Sequence, residues 1–395
     1  MKTTKKLLAA ALALMMILSM AACGSAKKDD GPIVIGCLGP LTGENAFYGT
    51  LLKDSITVMA ADCNANGGIL GREVKVNYYD DRSDPIEATN AARKAIQQDK
   101  ICVMIGTESS TTTLALAEVC EENKVPFVAT QASNIKITQN EDGTTRPQSF
   151  RSCLTDPQFG AIMGQYGYNE LGYKKVAVIY NLGSDYSVGI KNAFTSAYEA
   201  AGGEIIATEA FNDGDVDFRA ILTKIKDAGE FDAFYIAVGY YQQAGLIMKQ
   251  ARELGMNEMV MGSDAMMVGN MFEIVGDGME GTCFPANFDV SNDEVLDFLQ
   301  KFIDAQGYDP FKDAAGDLVV AHDAWLMVEK AINTAGNTDP QAIRDALEKT
   351  GTIDILGGTL TIVPETHQVL RSCPIYVIKN QEFVKLTEFT PSASK

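Results

Sequence analysis

The chain has 395 residues, 46% of them hydrophobic and 22% charged, with a mean hydropathy of −0.03. That length accommodates two or three domains around a sizeable core, and the composition excludes a single small module, a disordered chain and a disulfide scaffold. With 52 acidic residues against 33 basic ones the formal charge is −19, which argues against nucleic acid or an anionic membrane as a partner held by diffuse charge.

Residues 1–22 run from Lys2, Lys5 and Lys6 through the apolar stretch Leu7 to Leu18 and end on the small residues Ala21 and Ala22. This is the layout of a secretory signal, too short to span a bilayer. Met20-Ala21-Ala22-Cys23 looks like a bacterial lipobox, with Met20 where Leu is usual, so Cys23 is expected to carry lipid as the mature N-terminus. Several acyl chains at one site give stable anchoring, and residues 23–31 then form a tether. No later segment is apolar enough to cross a membrane.

From Ile33 the chain alternates β-branched runs with helical patterns. The expected order is strand Ile33 to Leu38, helix Gly49 to Asn66, strand Val74 to Tyr79, helix Pro85 to Asp99, strand Ile101 to Ile105, helix Thr111 to Asn123 and strand Phe127 to Thr130. Repeated β-α units make a parallel sheet. Asp84-Pro85-Ile86-Glu87 supplies an N-cap, a proline at the first helical position and an acid at the third. After a loop, Gln139 to Phe150, the pattern restarts: strand Val176 to Tyr180, helix Tyr186 to Ala201, strand Glu204 to Ala210, helix Phe218 to Asp227, strand Phe231 to Val238, helix Gln242 to Leu254 and strand Met259 to Met261. In the helix after Tyr186, Ile190, Phe194, Ala197 and Ala201 share one face, as packing on a sheet requires. The final third reads as helices Glu294 to Gln306, Leu318 to Thr334 and Pro340 to Thr350, then strands Thr359 to Val363 and Pro374 to Ile378. That is no third complete unit, so it must add to the other two. Wound sheets meet ligand at the C-terminal ends of their strands, which makes a cleft between two such lobes the default binding site.

Apart from Cys23, the cysteines are Cys37, Cys63, Cys102, Cys120, Cys153, Cys283 and Cys373, without a CxxC on which a metal cluster could be built. An exported chain leaves a disulfide open to them, although Cys37 and Cys102 lie in apolar runs and read as small buried hydrophobes. Catalytic patterns are lacking: no GxGxxG after a strand, no GxxxxGK[ST] and no GxSxG. The histidines are His322, within a helical pattern, and His367, in a turn, so a Ser-His-Asp set has little to draw on. Met266 and Met267 read as core filler rather than a copper site. Neither an enzyme nor a cofactor or metal is expected.

Several segments stand in the order of one known family. They are Ile33-Val34-Ile35-Gly36, Gly39-Pro40-Leu41-Thr42-Gly43, Tyr48-Gly49, Asn66-Gly67-Gly68-Ile69-Leu70-Gly71 and Asp80-Asp81-Arg82-Ser83-Asp84-Pro85. Ile105-Gly106 with Ser109-Ser110, Thr130 to Asn134, Gly183 to Gly189, Gly239-Tyr240, Met261-Gly262-Ser263-Asp264 and Asp323-Ala324 continue the match over nearly the whole mature chain. The pattern resembles the leucine/isoleucine/valine-binding proteins, solute receptors of ABC importers. The resemblance implies an α/β fold of two doubly wound parallel-sheet lobes joined by three hinge crossovers, as in type I periplasmic binding proteins. The crossovers are expected near Arg151 to Cys153, near Phe284 to Ala286 and between Glu365 and Ser372. Lobe one would comprise 32–152 with 286–366, and lobe two 153–285 with 367–395.

Ser109, Ser110 and Thr111 to Thr113 open a helix after Gly106, so hydroxyls and free backbone N–H groups converge at its positive end. From the residues alone this is either a carboxylate site or ordinary capping by one serine. By resemblance, Ser110 takes the place of the family serine that binds the ligand's α-carboxylate. Ala132 and Asn134 fall where a backbone carbonyl and a Thr side chain contact the amino acid. Asp264 matches the acid that receives the ligand's ammonium, a role chemistry supports because a desolvated ammonium needs a paired charge; it could equally cap a helix over Met266 to Val275. Tyr48, Tyr186 and Tyr240 match positions that line and close the cleft. Glu108 departs from the family, standing where branched-chain binders carry an apolar residue beside the ligand side chain. Either the ligand is more polar, with an amide, hydroxyl or cationic group, or Glu108 points out. Ser83 and Ser109 occupy the positions of a disulfide found in some relatives, so that bridge is missing.

The expected protein is a monomeric lipoprotein anchored through Cys23 on the outer face of a bacterial cell membrane. It would capture an amino acid, branched-chain or more polar, and deliver it to the permease subunits of an ABC importer. The alternatives are a receptor for a non-amino-acid solute, such as a short amide, a urea-like compound or an aromatic carboxylate, and a sensory ligand-binding module.

Overall fold

The computed structural model describes residues 31–306 and 315–390; the signal segment, Cys23 and most of the tether lie outside them. The first half alternates β1 (Ile33–Gly39), α1 (Ala46–Ala65), β2 (Val74–Asp80), α2 (Pro85–Gln97), β3 (Val103–Ile105), α3 (Ser110–Asn123), β4 (Phe127–Ala129) and β5 (Ser149–Arg151). All four strand pairings are parallel, in the order β2-β1-β3-β4-β5. α4 (Asp156–Asn169), β6 (Lys175–Asn181), α5 (Asp185–Ala200), β7 (Glu204–Phe211), α6 (Arg219–Ala228), β8 (Ala233–Ala237), α7 (Tyr241–Glu253), β9 (Met259–Gly262), α8 (Met271–Val275) and β10 (Cys283–Pro285) follow. They build a second sheet whose parallel part runs β7-β6-β8-β9-β10, the same winding as the first.

The last third is shared. α9 (Asp293–Gln306), α10 (Ala315–Ala335) and α11 (Pro340–Glu348) lead into a small antiparallel sheet of β11 (Thr352–Ile355), β12 (Gly358–Ile362) and β13 (Val369–Leu370). Trp325, Val328 and Ile332 of α10, with Ile353 and Leu360 of the small sheet, bury against Ile33, Ile35, Val103 and Val128 of the first sheet. β14 (Cys373–Lys379) and β15 (Glu382–Phe389) form an antiparallel hairpin on the edge of the second sheet, β14 pairing with β10. The chain is therefore an α/β protein of two doubly wound lobes, crossed at Ser152–Thr155, at Ala286–Asn292 and at Arg371–Ser372. Because β13 pairs with β12, the third crossing falls after the expected bound at 366.

Local chemistry accounts for the boundaries. Asp84 accepts from the backbone N–H groups of Ile86 (2.8 Å) and Glu87 (3.0 Å), the cap expected before α2. α4 was not expected: Gly160, Gly164 and Gly167 blur its helical pattern, although Thr155-Asp156-Pro157-Gln158 is a complete capping box. The glycines bring α4 against α5; a Cβ on Gly160 would lie 2.4 Å from that of Ala193, and one on Gly164 would lie 2.8 Å from the Tyr198 nitrogen. β5, β10, β11, β13 and β15 were also unexpected, three of them only two or three residues long.

Seven cysteines lie among the described residues, all free and buried, so no disulfide joins them. None of the described helices is long and apolar enough to cross a membrane, and the described residues gather no metal-binding group of His, Cys, Asp or Glu.

Two buried arginines organise the crossings. Arg151 donates to the carbonyls of Ala132 (3.2 Å) and Asn134 (2.6 Å). Arg371 pairs with Asp323 of α10 at 2.9 Å and donates to the Ser152 carbonyl at 2.8 Å, tying the third crossing to the first. Both members of this ion pair are buried. Arg371→Met is expected to cost about 3–5 kcal/mol by leaving Asp323 without its cation. Urea denaturation checks this, and Arg371→Met combined with Asp323→Leu should recover much of the loss.

Candidate ligand-binding site

The two sheets present the C-terminal ends of their strands to one cavity of about 550 Å³. Its lining follows the strands in turn: Tyr48 after β1, Ser83 after β2, Glu108 to Thr111 after β3 and Gln131 after β4 from the first sheet. From the second come Tyr186 after β6, Asp213 after β7, Tyr240 after β8 and Asp264 after β9. Phe288 from the second crossing and Asp317 from the first turn of α10 complete the wall.

β3 leaves its sheet through Gly106, whose φ is +120° and whose Cβ would lie 2.0 Å from the Leu38 carbonyl oxygen, so only glycine makes this exit without strain. The chain then enters α3 at Ser109. The Ser109 side chain caps nothing, while its carbonyl accepts from Thr113 N–H (2.9 Å), leaving the positive end of the helix open toward the cavity. Ser110 Oγ accepts from the Asn134 N–H at 3.2 Å, so its own proton is left to donate. Of the two readings of this segment, capping by a serine side chain is the one the geometry does not support.

Across the cavity, the Tyr186 hydroxyl donates to Asp264 Oδ1 at 2.7 Å. Burial pushes the Asp264 carboxyl up to about 6, with the Tyr186 bond and backbone N–H groups opposing that rise. Asp264 begins a single 3-10 turn, Asp264–Met266, and caps no helix over Met266 to Val275; α8 starts only at Met271.

Glu108 faces the cavity and is only 8% exposed. Asp317 lines the same wall, and Thr130 Oγ1 lies 3.5 Å from Glu108 Oε1. Burial and the neighbouring Asp317 charge hold Glu108 well above the usual carboxylate range; burial lifts Asp317 to about 6, against bonds from Glu108 and Gln131.

The lobes touch around the ligand space. Tyr241 N–H donates to the Tyr48 hydroxyl at 3.1 Å, and the Tyr48 and Tyr240 rings lie 5.3 Å apart. Asp185 N–H donates to Thr111 Oγ1 (3.2 Å), and Asn134 Nδ2 donates to the Asp185 carbonyl (2.8 Å).

Of the residues expected at a site, Ser109, Ser110, Glu108, Tyr48, Tyr186, Tyr240 and Asp264 line the cavity. Ala132 and Asn134 do not. Arg151 engages both of their carbonyls, and the Asn134 side chain is used by Asp185 and by the N–H of Lys136 (3.0 Å), so their contribution here is to brace the wall. Gln131 and Asp317 were not expected. Gln131 directly follows a strand, which is a signal; Asp317 has no local signal, since only the packing of α10 brings it to the cleft. His322 and His367 lie away from the cavity, at 3.1 Å from Asp323 Oδ1 and 3.0 Å from the Ser149 carbonyl respectively.

A family model described as "Periplasmic binding protein" matches residues 32–382. The chain belongs to that family. Its members are extracytoplasmic solute receptors of transport systems rather than enzymes. The leucine binding protein LivK from Thermotoga maritima MSB8 superposes with a TM-score of 0.82 at 31% identity, covering 91% of this chain and 99% of that one. LivJ from Streptococcus pneumoniae, solved with isoleucine, gives 0.81 at 26% identity over 91% and 100%. The Leu/Ile/Val-binding protein homolog 1 of Brucella suis biovar 1 is 28% identical over 339 residues, 86% of this chain and 87% of that protein. As a member of this family, the protein has a type I periplasmic-binding-protein fold.

The raised carboxyls give the folded state a pH signature. Asp81, Asp264 and Asp317 hold protons to about 6, mainly through burial, whereas an unfolded Asp releases them near 4. Their contribution to stability is complete below about pH 4 and is lost as pH rises through about 6. Thermal melts of ligand-free protein should show this fall, and Asp264→Asn should flatten part of it.

Proposed function

We propose that the protein is a solute-binding lipoprotein of an ABC importer that captures an amino acid by cleft closure and delivers it to a membrane permease. The observation that carries this reading is the opposition of two complementary ends across one cavity. Ser110 and the open N-terminus of α3 belong to the first lobe, while Asp264, held by Tyr186, belongs to the second. An α-carboxylate suits the first end and an α-ammonium the second. A ligand that reaches both favours the closed arrangement over the open one, and the Tyr48–Tyr240–Tyr241 contacts fasten the rims. Relatives named for leucine, isoleucine or valine binding support an amino acid as the ligand class.

The lobes in this reading are 32–152 with 286–366 and 153–285 with 367–395, the last bound shifted to the crossing at Arg371–Ser372. Export and lipidation at Cys23 would tether the protein, as a monomer, to the outer face of the cell membrane.

Asp264→Asn, measured by isothermal titration with the amino acid that binds wild type, is expected to weaken binding by about 3 kcal/mol or more, over a hundredfold. Unchanged affinity would remove the ammonium site from Asp264. Mass spectrometry of membrane-fraction protein should find an N-terminal, acylated Cys23, and Cys23→Ala should release the protein from the membrane.

A further inference from the structure

Among the described residues the cavity is lined by six carboxyl side chains, Glu44, Asp84, Glu108, Asp213, Asp264 and Asp317, and by no lysine, arginine or histidine. If the ligand is an amino acid, as proposed above, its ammonium occupies one of these acids, Asp264. That leaves Glu108 and Asp317, both buried in the cavity wall, without a cationic side chain beside them among the described lining residues. Gln131 lines the cavity as well, and its Oε1 is buried with no hydrogen-bond partner. On the second-lobe side, Gln242 and Gln243 line the same cavity, and each also has a buried, unpartnered amide oxygen. The cavity therefore presents three buried amide oxygens that lack donors. Phe288 and Val268 line the cavity as well and offer apolar surface to an aliphatic stem.

A branched aliphatic side chain meets this surface badly. It would bury two carboxyls and the Gln131 amide oxygen without providing a hydrogen-bond donor for any of them. A ligand with a cationic nitrogen at the end of a methylene stem supplies both the charge and the donors, and a planar guanidinium can serve two carboxyls and an amide oxygen together.

We infer that the Glu108–Asp317 pair is the specificity subsite, receiving the cationic side-chain nitrogen of a basic amino acid, so that the cavity selects such ligands over leucine, isoleucine and valine. The α-carboxylate and α-ammonium keep their places at Ser110 and Asp264.

The test is isothermal titration of the processed protein, stripped of ligand by unfolding and refolding, against arginine, lysine, leucine, isoleucine, valine and agmatine. The expected result is at least tenfold tighter binding of arginine or lysine than of any branched-chain amino acid. Glu108→Leu should weaken the cationic ligand at least tenfold and improve leucine. Asp317→Asn, a smaller change checked by its melting curve, should weaken the cation without improving leucine. Tighter binding of leucine, isoleucine or valine by wild type overturns the inference and leaves the amino-acid reading intact. So does an unaltered preference in both variants. Tighter binding of agmatine than of arginine, sensitive to Glu108→Leu but not to Asp264→Asn, keeps the acidic pair as the cation subsite and removes the amino-acid reading. Binding of none of the six overturns both.

Discussion

A parallel strand returned by a helix leaves its sheet always at the same edge, and this constraint governs the protein. Each sheet repeats it with the same strand order, so every loop that follows a parallel strand opens toward one side. Setting two such edges against each other gathers helix N-termini, short polar loops and unpaired backbone groups around one cavity. Almost every lining residue is placed by that rule. Phe288 and Asp317 come instead from the segment by which the chain returns from one lobe to the other.

Closing such a cavity has an electrostatic cost, which differs between its two ends. At α3 the exposed dipole and the Ser110 hydroxyl are ready for an anion without a charged side chain. Elsewhere the wall is acidic, and the raised affinities of Asp264, Asp317 and Glu108 for protons record how poorly bare carboxylates fit there. In the proposed reading a cation offsets that penalty when it enters, so the charge pattern and closure are coupled. The rim tyrosines, in contrast, make contacts that require no ligand, and the buried Arg371–Asp323 pair ties the third crossing to the first lobe.

How far the sequence could be read depended on where the determining contacts lie. The regular strands and the helices with clear caps were legible because their signals are local: Asp84-Pro85 before α2, and the apolar face of Ile190 and Phe194 in α5. α4 escaped because glycines chosen for contact with α5 depress its propensity, so a tertiary requirement overwrote the local pattern. The short strands β5, β10 and β13 depend on their neighbours in the sheet for stability and carry too few residues for alternation to register. At the site, Ser110, Asp264 and the three tyrosines could be named from their order along the chain. Ala132 and Asn134, expected there too, are not among the residues lining the cavity, and the buried Arg151 engages both of their carbonyls.

The sequence by itself determined the two wound units and the chemical character of the strand-end loops, since periodicity, capping and motif spacing act over a few residues. Whether Glu108 faced ligand or solvent was beyond it. Only the tertiary structure decided that, because Glu108 is buried in a cavity wall to which Asp317, some two hundred positions along the chain, is brought by the packing of α10 on the first sheet. A carboxyl's environment is set by neighbours in space, and the return of the last third of the chain to the first lobe supplied the neighbour that matters most.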